Sequence, residues 1–333
     1  MPHTDPNEPT PERHVELRTG TPYANLIAAQ MLFADTLAGR WGLSPESVIP
    51  TAGATGAIEA VRNHVLKRSP RKHPTVLTVS PGYWRARESF EGLGFEVVSV
   101  RTEGCGFQIG EQVLADRAKA TGSDIVYLSL PNNPTGAVFD PHALVRAMPE
   151  ETTVLLDLTL PSRDPEAREL TRGLSEGFKG RDNLFLVGST SKSHGTAEHR
   201  IGWVVCASGK DAAELRGENR SGVSTLAIAE GLRCLAGPPT VTESIDRSFA
   251  LLEEGAKRER FEVVRPERRV KTSYVLIKLL APPGAVRRVL EDARIHVMWG
   301  SEVGLTDEYI RLETIEHPAV EIFVEELNNS PAL

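Results

Sequence analysis

Apolar runs of about five residues recur through the middle of the chain, near 75–79, 95–100, 125–130, 153–157, 184–188 and 201–206. Between them lie stretches with helical spacing of apolar positions, near 57–67, 84–92, 110–120, 141–148 and 209–216. Strand and helix patterns in alternation predict an α/β unit: a mostly parallel central sheet with helices on both faces. Two long helical patterns follow, Gly222 to Leu235 and Thr242 to Phe261, broken by Gly237-Pro238-Pro239. The rest alternates differently, with strands near 273–279, 294–298 and 309–313 and helices near 284–292 and 317–327, which predicts a small α+β domain. The expected division is a large domain over 43–240 and a small one over 241–333, with residues 1–42 joining the small domain.

Composition narrows the class. The chain has 333 residues, 40% of them apolar, and a formal charge of −7, enough for a full core but without an extended basic face for nucleic acid. Cys105, Cys206 and Cys234 have no metal-ligand spacing, and three cysteines fit a reducing cytoplasm better than a disulfide scaffold. His194 and His199 lack companions at zinc spacing, so no metal is expected. The first sixteen residues hold four prolines and mixed charges rather than an apolar leader, and no run approaches the ~18 apolar residues of a membrane span.

The candidate chemistry sits behind the strands, where open α/β sheets bind their ligands. Lys192 follows the strand Asn183 to Gly188 in Ser189-Thr190-Ser191-Lys192, with Arg200 eight residues on. An amine among hydroxyls with a fixed cation nearby suits a Schiff base to a phosphorylated aldehyde, although alone it equally suits an exposed serine-rich loop. Pro131-Asn132-Asn133-Pro134-Thr135-Gly136 follows another strand, and the Asn133 carboxamide can donate to an oxygen there. Asp157 closes the apolar run Thr153 to Leu156; a carboxylate so placed is costly unless it is paired, and the alternatives are a partner such as a protonated pyridine nitrogen, or a helix cap or loop-stabilising aspartate. Thr51 to Ala60 reads as a small-residue turn into a helix whose first amides, around Ala54 and the Thr55 hydroxyl, form an anion site; it lacks the Gly-Lys-Ser/Thr ending of a P-loop.

Asn133, Asp157, Ser189 to Lys192 and Arg200 together resemble the fold-type I pyridoxal-phosphate enzymes, specifically the class I/II aminotransferase superfamily. The likeness runs from about Leu17 to Ile322, in a chain that is short for that family. It implies that Lys192 forms the Schiff base and shuttles the proton, that Asp157 pairs with the ring nitrogen, and that Asn133 binds the phenolic oxygen beside the substrate. Ala54, Thr55, Ser189, Ser191 and Arg200 would hold the phosphate. Tyr83 would stack on the ring, with Trp84 the competing aromatic. Arg311, in Asp307 to Glu313, resembles the arginine that grips the substrate α-carboxylate; as a plain strand arginine it would instead pair with Glu313 or Asp307. Tyr23 resembles the tyrosine that reaches the neighbouring subunit's phosphate, which implies a homodimer.

One position departs from the family pattern. A tyrosine usually stands three residues after the ring-nitrogen aspartate and donates to the phenolic oxygen, whereas this chain has Leu160, leaving Thr159 or Arg163 to compensate. The leading expectation is an aminotransferase acting on an amino acid and a 2-oxo acid. The alternative is another pyridoxal-phosphate reaction of a biosynthetic pathway, namely decarboxylation, elimination or cyclisation; a non-catalytic cofactor-binding protein is the third class.

Overall fold

A computed structural model describes residues 24–160, 181–218 and 222–333. Seven strands build the main sheet: β1 (Val48–Thr51), β2 (Thr75–Ser80), β3 (Glu96–Arg101), β4 (Ile125–Ser129), β5 (Thr153–Asp157), β6 (Leu184–Ser189) and β7 (Gly202–Cys206). Their order is β1-β7-β6-β5-β4-β2-β3. The pairings from β3 to β6 are all parallel, and β7 runs antiparallel to both its neighbours.

The central strands read as unbroken apolar runs because both faces are covered, and their period of two divides each between two cores. Leu77, Val126, Leu128, Val154, Leu156, Leu184 and Leu186 join one core, against α1 (Ala24–Trp41), α4 (Glu111–Thr121), α5 (Pro141–Ala147) and α7 (Thr225–Ala236). Val76, Ile125, Tyr127, Leu155, Phe185 and Val187 join the other, against α2 (Gly53–Arg68), α3 (Trp84–Glu91) and α6 (Gly209–Glu218). The two edge strands differ. β3 is half-exposed along its length, and β1 tolerates Pro50 because an edge strand can spare an amide.

The α1 helix corrects an expectation. Phe33, Leu37 and Ala38 are buried in the core of the large sheet, so residues 24–41 pack there rather than on the small domain. Tyr23 and Arg163 lie outside the described residues.

The second sheet is antiparallel, in the order β10 (Met298–Trp299), β11 (Tyr309–Glu313), β9 (Tyr274–Leu279), β8 (Phe261–Val263). Val275, Ile277, Leu279, Ile310 and Leu312 point to a core closed by α8 (Thr242–Gly255), α9 (Pro283–Asp292) and α10 (His317–Asn329). The expected helix to Phe261 stops at Gly255: Glu259 takes φ 58°, and Phe261, Glu262 and Val263 then alternate buried, exposed, buried, the pattern of a strand. On the opposite face of this sheet Tyr274 and Leu276 stand beside Tyr309, Arg311 and Glu313, since alternation fixes which side chains share a side. Phe107 of the large domain packs on Leu276 and Tyr309, so that face looks back toward the main sheet. Among the described residues no helix is long and apolar enough to cross a membrane.

Candidate active site

Four parallel strands deliver polar side chains to one edge. Register pairs Ser129 at the end of β4 with Asp157 at the end of β5, while Ser80 closes β2 and Ser189 closes β6, three residues before Lys192. Asp157 lies on the same side of the sheet as Tyr127, whose hydroxyl donates to Oδ2 at 2.9 Å; the Thr159 amide donates to Oδ1 at 2.9 Å. The carboxylate is 5% exposed, and no cation among the described residues pairs with it. Burial therefore pushes its pKa up, against the opposing pull of the Thr159 and Tyr127 donors.

The loop after β4 is held by its own polar groups. Asn132 Nδ2 donates to Pro81 O at 3.1 Å and to Thr135 Oγ1 at 2.9 Å, and Gly136 N donates to Asn132 O at 2.8 Å. Gly136 has φ 70°, and a Cβ there would meet Val270 O at 2.4 Å, so only glycine closes this turn. The neighbouring Asn133 is buried, and its Oδ1 has no hydrogen-bond partner among the described residues. Turning the amide over puts Nδ2 at that same point, so the residue can present either donor or acceptor.

At the start of α2 the Ala52 side chain supplies no cap, which leaves the first amides of the helix without a side-chain acceptor. Arg200, in the left-handed region at φ 52°, lays its guanidinium across this turn and donates to Ala52 O at 3.1 Å and to Ala197 O at 3.1 Å. Thr51, Gly202 and Ser189 stand in one row across β1, β7 and β6. A Cβ on Gly202 would fall 2.4 Å from the Gly53 carbonyl carbon and 2.7 Å from Ala54 N, so glycine lets the helix start sit directly on the sheet. Ser189 Oγ accepts from Ser191 N at 3.1 Å. Tyr83 lies against the Thr55 hydroxyl and near Asp157; burial and that carboxylate raise its pKa. Its neighbour Trp84 instead carries Arg85, 4.7 Å from the ring centre.

The small sheet closes the site from the other side. Lys192 Nζ donates to Glu313 Oε1 at 2.9 Å and lies 5.0 Å from the centre of the Tyr274 ring. Burial works against the ammonium, but Tyr274 and Glu313 outweigh it and hold its pKa above the ordinary lysine value. Arg311 rests on the same ring, its guanidinium carbon 4.1 Å from the centre. It forms neither of the ion pairs weighed from the sequence: Asp307 takes Arg287 at 2.8 Å, and Glu313 takes Lys192. Arg311 Nε is buried without a hydrogen-bond partner among the described residues, and burial lowers the guanidinium pKa. Leu160 is buried and contributes no donor.

The structure thus places Lys192, Asp157, Asn133, Thr55, Ala54, Tyr83, Ser189, Ser191, Arg200 and Arg311 around one edge. Tyr127, Tyr274 and Glu313 join them unforeseen. The first only reads as core in β4, and the other two gain their meaning from register across strands far from Lys192 in sequence. A separate cluster, His64, Asp211 and Glu214, lies three turns along α2 from the site. Arg68 already supplies its cation, at 2.6 Å from Asp211 and 2.8 Å from Glu214.

These residues fit pyridoxal phosphate group by group: uncapped amides with Arg200 for the phosphate, Asp157 for the ring nitrogen, the unpaired Asn133 amide for the phenolic oxygen, and Lys192 for the aldehyde. Comparison with known proteins agrees in fold. A Thermus thermophilus aspartate aminotransferase mutant superposes with a TM-score of 0.74 at 20% identity, covering 93% of this chain and 92% of that one. L-threonine-O-3-phosphate decarboxylase from Porphyromonas gingivalis superposes at 0.71 with 19% identity, covering 91% and 93%. In sequence, the histidinol-phosphate aminotransferase of Haloarcula marismortui is 31% identical over 217 residues, which are 64% of this chain and 57% of that protein, so the match spans less than two thirds of the relative. The sequence model of aminotransferase class I and II matches residues 21–327, and with the site geometry this places the chain in that family.

Proposed function

We propose that the chain is a pyridoxal-phosphate-dependent aminotransferase acting on an amino acid and a 2-oxo acid. The carrying observation is the meeting, at one sheet edge, of a lysine amine with a buried carboxylate, a buried amide whose Oδ1 is unpaired and a half-buried arginine, the carboxylate lacking a cation and the arginine an ion-pair partner among the described residues. Bound there, the cofactor would supply an electron sink next to the substrate α-carbon. Asp157 would keep the ring nitrogen protonated, and the cation would in turn offset the cost of burying the carboxylate. Arg200 with the start of α2, Ser189 and Ser191 would fix the phosphate, and Tyr83 would bound the ring. Arg311 would orient the substrate carboxylate, and Lys192 would move the proton at the α-carbon.

The relative's name makes histidinol phosphate the first amino donor to try. A homodimer is proposed as well, with Tyr23 of one copy reaching toward the other's phosphate. Ile27, Met31 and Leu32 on α1, each more than half exposed, support such an assembly. Cys206 and Cys234, buried and free, suit a reducing cytoplasm. The units 43–240 and 241–333 would be the two halves between which the site lies.

One observation favours a second reading. Leu160 leaves the phenolic oxygen without its usual hydroxyl, and a decarboxylase shares the fold, so decarboxylation, elimination or cyclisation would be the other outcome. Borohydride reduction of the cofactor-loaded protein followed by peptide mass mapping tests the reading. An adduct on Lys192, absent in Lys192→Ala, is expected; an adduct elsewhere, or none, overturns it.

A further inference from the structure

Three residues of the small domain converge on Lys192. Ser273 Oγ donates to its backbone carbonyl at 3.2 Å, the Tyr274 ring centre lies 5.0 Å from its Nζ, and Glu313 accepts from Nζ at 2.9 Å. Tyr274 and Glu313 are direct cross-strand partners in β9 and β11, so their side chains stand side by side on the face turned to the site. Whenever substrate has taken its place on the cofactor, Lys192 is a free amine that these groups can receive.

Glu313 is an unexpected neighbour for a carboxylate-binding arginine. It lies two residues from Arg311 on one strand, hence on the same face, where its charge would repel the group that Arg311 attracts. A cation paired with Glu313 relieves that repulsion, and among the described residues its ion-pair partner is Lys192.

We propose that Glu313 and Tyr274 are positioning residues that receive the Lys192 amine when it is not joined to the cofactor, fixing it beside the substrate and stabilising its protonated form, the form it has once it has taken the α-carbon proton. The inference rests on the cofactor assignment above. Nζ pairs with Glu313 and lies by the Tyr274 ring; Arg311 rests on the same ring, and Asp157 and Tyr83 line the same site. Joining the cofactor aldehyde requires the neutral amine: the nitrogen lone pair attacks the aldehyde carbon, and water leaves as the carbon–nitrogen double bond forms. A carboxylate that holds the proton on Nζ therefore slows this step at neutral pH, and its removal speeds it.

The test is the reaction of the cofactor-free protein with pyridoxal phosphate, followed by stopped-flow absorbance at saturating cofactor from about pH 6.5 to 9. Glu313→Gln keeps the size and a hydrogen bond but not the charge. It should shift the pH–rate line so that the step is about tenfold faster at pH 7.5; Tyr274→Phe should quicken it about threefold. Binding of pyridoxine 5′-phosphate, which has no aldehyde, should be unchanged in both variants. A Glu313→Gln profile superimposed on that of the unaltered protein overturns the proposal, as does acceleration matched by altered pyridoxine phosphate affinity, which would locate the effect in the phosphate cradle. If the unaltered protein forms no lysine adduct at any pH, the cofactor assignment itself fails and this inference falls with it.

Discussion

Replacing Arg311 by leucine separates substrate recognition from packing. The guanidinium stacks on Tyr274 at 4.1 Å, and among the described residues no carboxylate pairs with it and its Nε has no partner. Loss of the stacking costs roughly 0.5–2 kcal/mol. Relief of a buried donor unsatisfied among the described residues returns about 1–3 kcal/mol, and leucine retains contact with the ring. The two nearly cancel, so the variant should fold with stability changed by no more than about 1 kcal/mol. Substrate binding is another matter. A two-pronged contact between arginine and carboxylate in a desolvated site contributes on the order of 2–5 kcal/mol, and the partial exposure of this arginine favours the lower end. A loss of about 2–3 kcal/mol corresponds to a roughly thirty- to 150-fold drop in kcat/KM. The assay is steady-state turnover of an α-amino acid by the cofactor-loaded variant, with the bound-cofactor absorbance as control, since Arg311 and the phosphate cradle are separate groups. A loss below threefold with fold and cofactor retained would refute the clamp. Arg85 and Arg87 would be weak substitutes, because one stacks on Trp84 and the other pairs with Glu91 at 2.7 Å.

Asp157→Asn probes the buried carboxylate through pH. The folded-state pKa is raised by burial, so the fold holds a proton that the unfolded chain has already lost, and stability present below the unfolded value falls as pH rises through the raised one. The cofactor-free variant should lack this fall and melt above the unaltered protein at neutral pH, with the difference closing in acid; equal melting at neutral pH would argue against it. Gly202→Ala forces a methyl against the backbone of Gly53 and Ala54, and should cost about 1–3 kcal/mol in urea unfolding as well as weakening phosphate binding, measured by cofactor titration. Unchanged values for both would mean that the start of α2 does not need its close seat.

The sheet was legible because β2, β4, β5 and β6 are buried on both faces, which leaves a run of apolar residues that few helices would mimic. Site residues carried by short local segments, such as Asn133 in its proline-bounded turn or Arg200 close behind Lys192, were legible for the same reason: one segment holds the whole signal. Residues whose role depends on distant pairing were not. Glu313 looked like a partner for Arg311, yet alternation places both on one face and the fold brings Lys192 to Glu313 from 121 positions away. Tyr274 reads as an ordinary strand residue until β9 is set beside β11. Short elements escaped too. Four-residue β1 and three-residue β8 offer too few positions for a period, and α1 betrayed neither its helix nor its seat on the large sheet, because that depends on where α7 lies.

The central claim, amino-group transfer at Lys192, is tested most directly by a single half-reaction. Stoichiometric amino acid added to the cofactor-loaded protein should convert the lysine-bound chromophore to the amine form of the cofactor and release one equivalent of 2-oxo acid, and a different 2-oxo acid should restore the starting spectrum. Release of carbon dioxide, ammonia or a cyclised product, with the cofactor never passing to its amine form, would contradict the account.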